Sequence, residues 1–208
     1  MDLTLGGIAN AFAQMSGWEI LAVVFGIAYV LFAAKESLWT WLFAFLSTII
    51  YTILFWEGAL VSSSLLNFYY MIMAVYGFIL WRSGGEKGEE LEITQWSLKK
   101  NVSIILSGIT IAIVLAYLSD TYTEAKFAYL DTFVMVFSVI ATWMLANKIL
   151  ENWLYWMVID CAAIVLYWKS GYLATIILFV IYVLLAFYAY YSWCKAFGRG
   201  GENEHRLK

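Results

Sequence analysis

Proline is absent from the 208 residues, histidine occurs once, cysteine twice, and charged residues make up only 13%. Each shortage closes a class of function. The one histidine, His205, lies in the C-terminal tail, so no histidine-ligated metal, haem or proton relay can sit within the apolar body of the chain. Cys161 and Cys194 lie in separate apolar runs and form no C-x-x-C pair; they read as small buried hydrophobes. A net charge of −3 offers no basic surface for nucleic acid. The opening MDLTLGGIANAFAQMSG has no basic residue before its apolar part, unlike a cleaved signal peptide.

What is present is apolar: 64% hydrophobic residues and 19% aromatic, with a mean hydropathy of +0.80. A soluble domain runs nearer 45–50% apolar, with about 25% charged. Spans of roughly 20 residues account for the excess, and helices keep backbone polar groups paired in lipid. A soluble domain, a disordered chain and a β-barrel are excluded. The runs predict an all-α membrane protein with seven transmembrane helices: Trp18–Ala34, Leu38–Trp56, Ala59–Trp81, Val102–Leu118, Leu130–Asn147, Glu151–Trp168 and Tyr172–Cys194. Tryptophans near span ends (Trp18, Trp39, Trp56, Trp81, Trp153, Trp168, Trp193) fit interfacial belts. Lysine and arginine set the orientation. Lys126 and Lys169 lie on the side of the N-terminus, whereas Lys35, Arg82, Lys87, Lys99, Lys100, Lys148, Lys195, Arg199, Arg206 and Lys208 lie on the other. This predicts a cytoplasmic C-terminus and an N-terminus outside.

Sliding the chain against itself aligns 18–81 on 130–193 without a gap, an offset of 112. Identities include Phe25/Phe137, Trp41/Trp153, Trp56/Trp168, Tyr70/Tyr182, Ala74/Ala186 and Trp81/Trp193, and Glu19 falls on Asp131. The predicted organisation is an N-terminal segment (1–17), a three-helix repeat (18–81) and a loop with a linker helix (82–129, helix 102–118). A second three-helix repeat (130–195) and a tail (196–208) follow. An odd number of spans separates the copies, so they point the same way, a 3+1+3 parallel repeat as found in transporters. The layout is similar to that of the SWEET sugar transporters. Their expected hinges carry proline, so its absence here argues against membership and leaves glycines such as Gly26 or Gly77 to bend.

Polar residues at membrane depth mark function by default. In the sixth span Trp153, Trp156, Asp160 and Tyr167 share one helical face, with Asp160 near the middle. The repeat sets Thr48 opposite Asp160 and Trp41 opposite Trp153. In the third span Ser63, Asn67 and Tyr70 form a second face, and the counterpart of Asn67 is Phe179, so the amide is one-sided. Such residues also glue helices together at roughly 0.6–2 kcal/mol each. Aromatic faces with hydroxyls, an amide and one carboxylate suit a small, partly aromatic molecule, and Trp and Tyr attract organic cations.

The stretch Glu151-Asn152-Trp153-Leu154-Tyr155-Trp156, continued to Asp160, resembles the W-x-x-W signature of the PnuC family of vitamin transporters. Asn67-Phe68-Tyr69-Tyr70, followed by Tyr76-Gly77 and Trp81, is similar to that family's N-x-x-Y segment, and Tyr182 to Trp193 fits its last span. The resemblance covers roughly 18–195. It implies import of nicotinamide riboside across the bacterial inner membrane by facilitated diffusion, with intracellular phosphorylation trapping the product. It also implies a homotrimer with one pathway per protomer. Trp153 and Trp156 would pack against substrate, Asn67 and Tyr70 would bond it, and Asp160 would lie beside them; Trp41 and Thr48 extend the site through the repeat. No cofactor and no metal are implied. Relatives with this fold carry thiamine or riboflavin, and thiamine is also an aromatic cation, so it is the main alternative. H-E-x-x-H, G-x-S-x-G and a midplane aspartate pair are lacking, which disfavours an intramembrane enzyme. A channel remains the alternative of another class, to be separated by saturable uptake.

Overall fold

The computed structural model describes residues 4–57, 61–84, 91–122 and 127–206. Lys87, Lys126 and Lys208 of the charge pattern, and the start of the third predicted span at Ala59, lie outside them. The order is α1 (Leu5–Ala13), α2 (Gly17–Ala34), α3 (Trp39–Glu57), α4 (Val61–Ser83), α5 (Leu98–Tyr122), α6 (Ala128–Ala146), α7 (Asn152–Ser170) and α8 (Leu173–Arg206).

Local chemistry sets the helix boundaries. Thr4 caps α1 by accepting from the Gly7 N–H. Ser16 and Glu19 form a reciprocal capping box at the start of α2, which satisfies two orphan donors. Gly171 ends α7 in the left-handed region at φ 84°, where glycine has no Cβ penalty.

Among the described residues six helices (α2, α3, α4, α5, α6 and α8) are long and apolar enough to cross a membrane. The sixth predicted span, α7, has 19 residues but is less apolar, because it carries Asn152, Asp160, Lys169 and several Trp and Tyr rings. Its buried face includes Asn152 and Asp160. The helix that fails on hydropathy is thus the one that turns an amide and a carboxyl inward. The N-terminal segment forms a helix of its own, packed on α8, and α8 runs beyond Cys194 into the predicted tail.

Consecutive helices α2, α3 and α4 pack together, as do α6, α7 and α8; α2 on α8 and α4 on α6 join the two groups, while α5 lies on α6. The bounds of α2, α3 and α4 shifted by 112 fall within one residue of the starts of α6, α7 and α8. At one end of the bundle four tryptophans share a core cluster. Trp41 meets Trp81 edge-on (5.2 Å, 83°), and Trp153 meets Trp193 likewise (5.4 Å, 90°). The Trp81 indole N–H donates to the Ala146 carbonyl and that of Trp193 to the Ala33 carbonyl, both at 2.9 Å. Between α4 and α5, the Thr94 N–H donates to the Lys148 carbonyl (2.9 Å) and the Leu150 N–H to that of Thr94 (2.8 Å). This short parallel bridge straps the linker to the α6–α7 turn.

Both glycines named as bending points are places of close approach. A Cβ at Gly26 would run into the Tyr182 hydroxyl, and one at Gly77 into the Trp41 ring.

Candidate functional site

Asp160 lies on α7 with 3% of its surface exposed. Among the described residues no cation pairs with its carboxyl. A buried carboxyl without a partner is costly unless something arrives to pair with it. Three phenols lie within electrostatic reach of it: Tyr29 on α2, Tyr70 on α4 and Tyr182 on α8. Both three-helix groups therefore contribute to one site.

The two tyrosines on the third helix of each group, Tyr70 and Tyr182, are 112 residues apart and cross to the first helix of the other group. Tyr70 hydrogen-bonds Ser138 on α6. Tyr182 places its hydroxyl over Gly26 on α2, and Gly26 is 112 residues before Ser138. Of these two matched positions only the one facing Tyr70 is a serine. Ser47 holds α3 on α2 beside this point by donating to the Ala22 carbonyl at 2.9 Å.

Towards the end of the bundle where α2 begins, aromatic rings continue the site. Phe179 lies edge-on to Tyr182 (5.9 Å, 87°) and stacks on Tyr167 (5.3 Å, 20°). Tyr51 lies within electrostatic reach of Tyr182, Tyr167 and Glu19, and Tyr167 within reach of Asp131. A column of phenols thus runs from two carboxylates at one helix end to Asp160. Phenol rings give such a column apolar walls with hydroxyl tips. In the opposite direction Trp156, one helical turn from Asp160, packs against both core clusters.

The residues singled out from sequence divide into three sets. Asp160 and Tyr70 come together, with Trp156 on the adjoining turn. Trp41 and Trp153 sit in the four-tryptophan cluster, each 2% exposed, and both indole N–H groups are buried without an acceptor. Trp153 lies about 10 Å along α7 from Asp160, at 1.5 Å per residue. Thr48 and Asn67 are engaged within their own helices: the Thr48 hydroxyl donates to the Ala44 carbonyl (2.8 Å) and the Asn67 amide to that of Ser63 (2.9 Å). Asn67 keeps its second N–H and its carbonyl oxygen for other partners.

Sequence reasoning did not assign Tyr29, Tyr182 and Ser138 to the site. Tyr182 carried a usable signal as the repeat mate of Tyr70. Tyr29 carried none, since its mate is Ala141. Among the described residues there is no group of three or more His, Cys, Asp or Glu able to hold a metal ion.

The family described as nicotinamide mononucleotide transporter matches residues 16–195. The nicotinamide riboside transporter PnuC of Escherichia coli (strain K12) is 22% identical, over 88% of this chain and 87% of that protein. The riboflavin/roseoflavin transporter RibM of Streptomyces davaonensis is 23% identical, over 84% of this chain and 83% of its own length. A solved structure, the crystal structure of the vitamin B3 transporter PnuC, superposes with a TM-score of 0.74 at 23% identity, covering 94% of this chain and 88% of that one.

Proposed function

Because the chain belongs to the nicotinamide mononucleotide transporter family, we propose that it imports nicotinamide riboside across the bacterial inner membrane by facilitated diffusion. One observation carries the choice of substrate: a buried carboxylate, Asp160, without a counter-cation, ringed by phenols. Nicotinamide riboside has a positively charged pyridinium, which the carboxylate neutralises. Its sugar hydroxyls and amide find partners in Tyr29, Tyr70, Tyr182 and the free valences of Asn67. Trp156 supplies an aromatic face, to which a cation binds by roughly 0.5–2 kcal/mol. Trp41 and Trp153 wall the site on one side, and Thr48 lines it from α3. Riboflavin, the cargo named for one relative, is uncharged and leaves Asp160 unpaired. Thiamine satisfies the charge but brings no ribose.

The same reading includes a seven-span 3+1+3 parallel repeat with boundaries at 18–81 and 130–195. The recurring helix bounds and the paired tryptophan contacts support it. Here α7, the sixth in chain order, completes the seven spans, with its polar face shielded from lipid. The lysine and arginine count supports an N-terminus outside, so the phenol column opens outward and the tryptophan cluster faces the cytoplasm. A homotrimer and trapping by phosphorylation inside complete the reading. Asp160 is the one ionisable side chain on the buried face of α7 near mid-helix, which favours transport uncoupled to ions. In proteoliposomes, uptake of labelled nicotinamide riboside should run down its own gradient and saturate with no pH or sodium gradient. Strict dependence on either gradient would refute uncoupled transport, and a lack of saturation would favour a channel.

Gly26 provides a test of the tyrosine crossing. In Gly26→Ala the added methyl displaces only the hydroxyl end of Tyr182, which is expected at small cost to folding. Affinity should fall by about tenfold through one lost hydrogen bond, while the melting temperature stays close to that of the parent. An unchanged affinity would remove Tyr182 from the site.

A further inference from the structure

We propose that Glu36 and Lys148 form a charged latch that closes one end of the pathway and parts at each passage of substrate. The proposal rests on the transporter reading above. Glu36 follows α2 and Lys148 follows α6, and the Lys148 ammonium donates to a Glu36 carboxylate oxygen at 2.7 Å across 112 residues of sequence. That separation equals the repeat offset, so the two are equivalent positions in contact with each other. Equivalent positions meet only where two related units approach along their common axis. Identical residues would place like charges together there; a glutamate facing a lysine makes the contact attractive.

The backbone carries the same signature. Glu36 has φ 53° and Lys148 φ 48°, a left-handed conformation that costs a non-glycine residue roughly 1–2 kcal/mol. Both turns keep that strain with a charged side chain, and no glycine relieves it. The pair is partly withdrawn from water, with side chains 10% and 29% exposed, and the Lys148 ammonium lies 4.9 Å from the Trp81 ring centre. Beneath it Trp81 and Trp193 approach to 6.3 Å, each bonded to the end of the other group's first helix. An ion pair at the rim and a tryptophan layer behind it together seal this end, while the phenol column leads to Asp160 from the other.

The two sides of the latch are unequally held. The linker bridge pins the backbone of the Lys148 turn through Thr94, whereas the backbone hydrogen bonds of the Glu36 turn are local, Glu36 N–H to Ala33 and Ser37 N–H to Phe32. Parting of the latch is therefore movement of the first group's turn away from an anchored second.

Cys194 packs half-buried against the tryptophan cluster and reports on the seal. The full-length protein carrying Cys161→Ala, in nanodiscs, is treated with a charged maleimide, and alkylation of Cys194 is timed without any substrate. Glu36→Gln and Lys148→Met should each raise the rate by about tenfold, as a closed population loses its one-sided ion pair. The exchanged pair Glu36→Lys with Lys148→Glu, and the charge-preserving Glu36→Asp, should stay within about twofold of the parent. Glu36→Asp keeps the test open should a neutralised variant fail to assemble, because it should also keep nicotinamide riboside uptake. Equal rates in the parent and the neutralised variants, or an exchanged pair as fast as the single variants, would overturn the latch. Loss of nicotinamide riboside uptake by the parent, with this alkylation pattern intact, would instead refute the substrate.

Discussion

Asp160→Asn is expected to weaken binding of nicotinamide riboside by on the order of a hundredfold or more, and to leave the ligand-free protein at least as stable as the parent. The substitution keeps the shape of the side chain and removes its charge. Truncating one partner of a buried, hydrogen-bonded charge pair costs about 2–5 kcal/mol, and each 1.4 kcal/mol is roughly tenfold in affinity. Stability should move the other way, because the free protein must bury a carboxyl with which no described cation pairs. The opposite signs separate a substrate role from a structural one. A carboxyl that glues helices would lose stability when neutralised and would affect ligand only through the fold. Equilibrium titration and thermal unfolding of the same preparation read both.

The second large effect is expected at Gly77. Trp41 lies flat against its backbone, so that an added Cβ would overlap three atoms of the six-membered ring. The ring cannot yield readily: it is 2% exposed and held edge-on to Trp81. Overpacking of this kind costs about 1–3 kcal/mol, so Gly77→Ala should lower the melting temperature clearly. Gly198, with nothing within 4 Å of its Cβ position, serves as the control, and Gly198→Ala should be neutral or slightly stabilising. A Gly77→Ala variant as stable as the control would mean that the tryptophan cluster is loosely packed. Ala189 already stands at the repeat position of Gly77, so the tolerance for a methyl differs between the two groups.

The parts of this molecule legible in its sequence are those with a periodic or repeated signal. Apolar runs announced α2 to α8, and the offset of 112 paired Trp41 with Trp153 and Trp81 with Trp193 before their edge-on contacts were visible. Asp160 stood out because a carboxyl in an apolar run is rare. Tyr29 did not, since a tyrosine in a membrane helix is ordinary and only the packing of α2 turns it towards Asp160. Glu36 and Lys148 were obscured by the alignment itself: opposite charges at matched positions read as divergence, although they are what two contacting equivalent sites require. The strap through Thr94 depends on one backbone pairing between distant segments, which composition does not encode. The roles of Trp41 and Trp153 were blurred for a related reason. Sequence places Trp153 on the face of Asp160 and Trp41 opposite it, but two helical turns of rise carry Trp153 into the seal that walls one end of the site.

Binding calorimetry on the purified protein, with nicotinamide riboside, thiamine and riboflavin side by side, tests the central claim most directly. Nicotinamide riboside should bind saturably, thiamine more weakly through charge alone, and riboflavin not at all, with the nicotinamide riboside signal lost in Asp160→Asn. Tight binding of riboflavin, or nicotinamide riboside binding that survives Asp160→Asn undiminished, would contradict it.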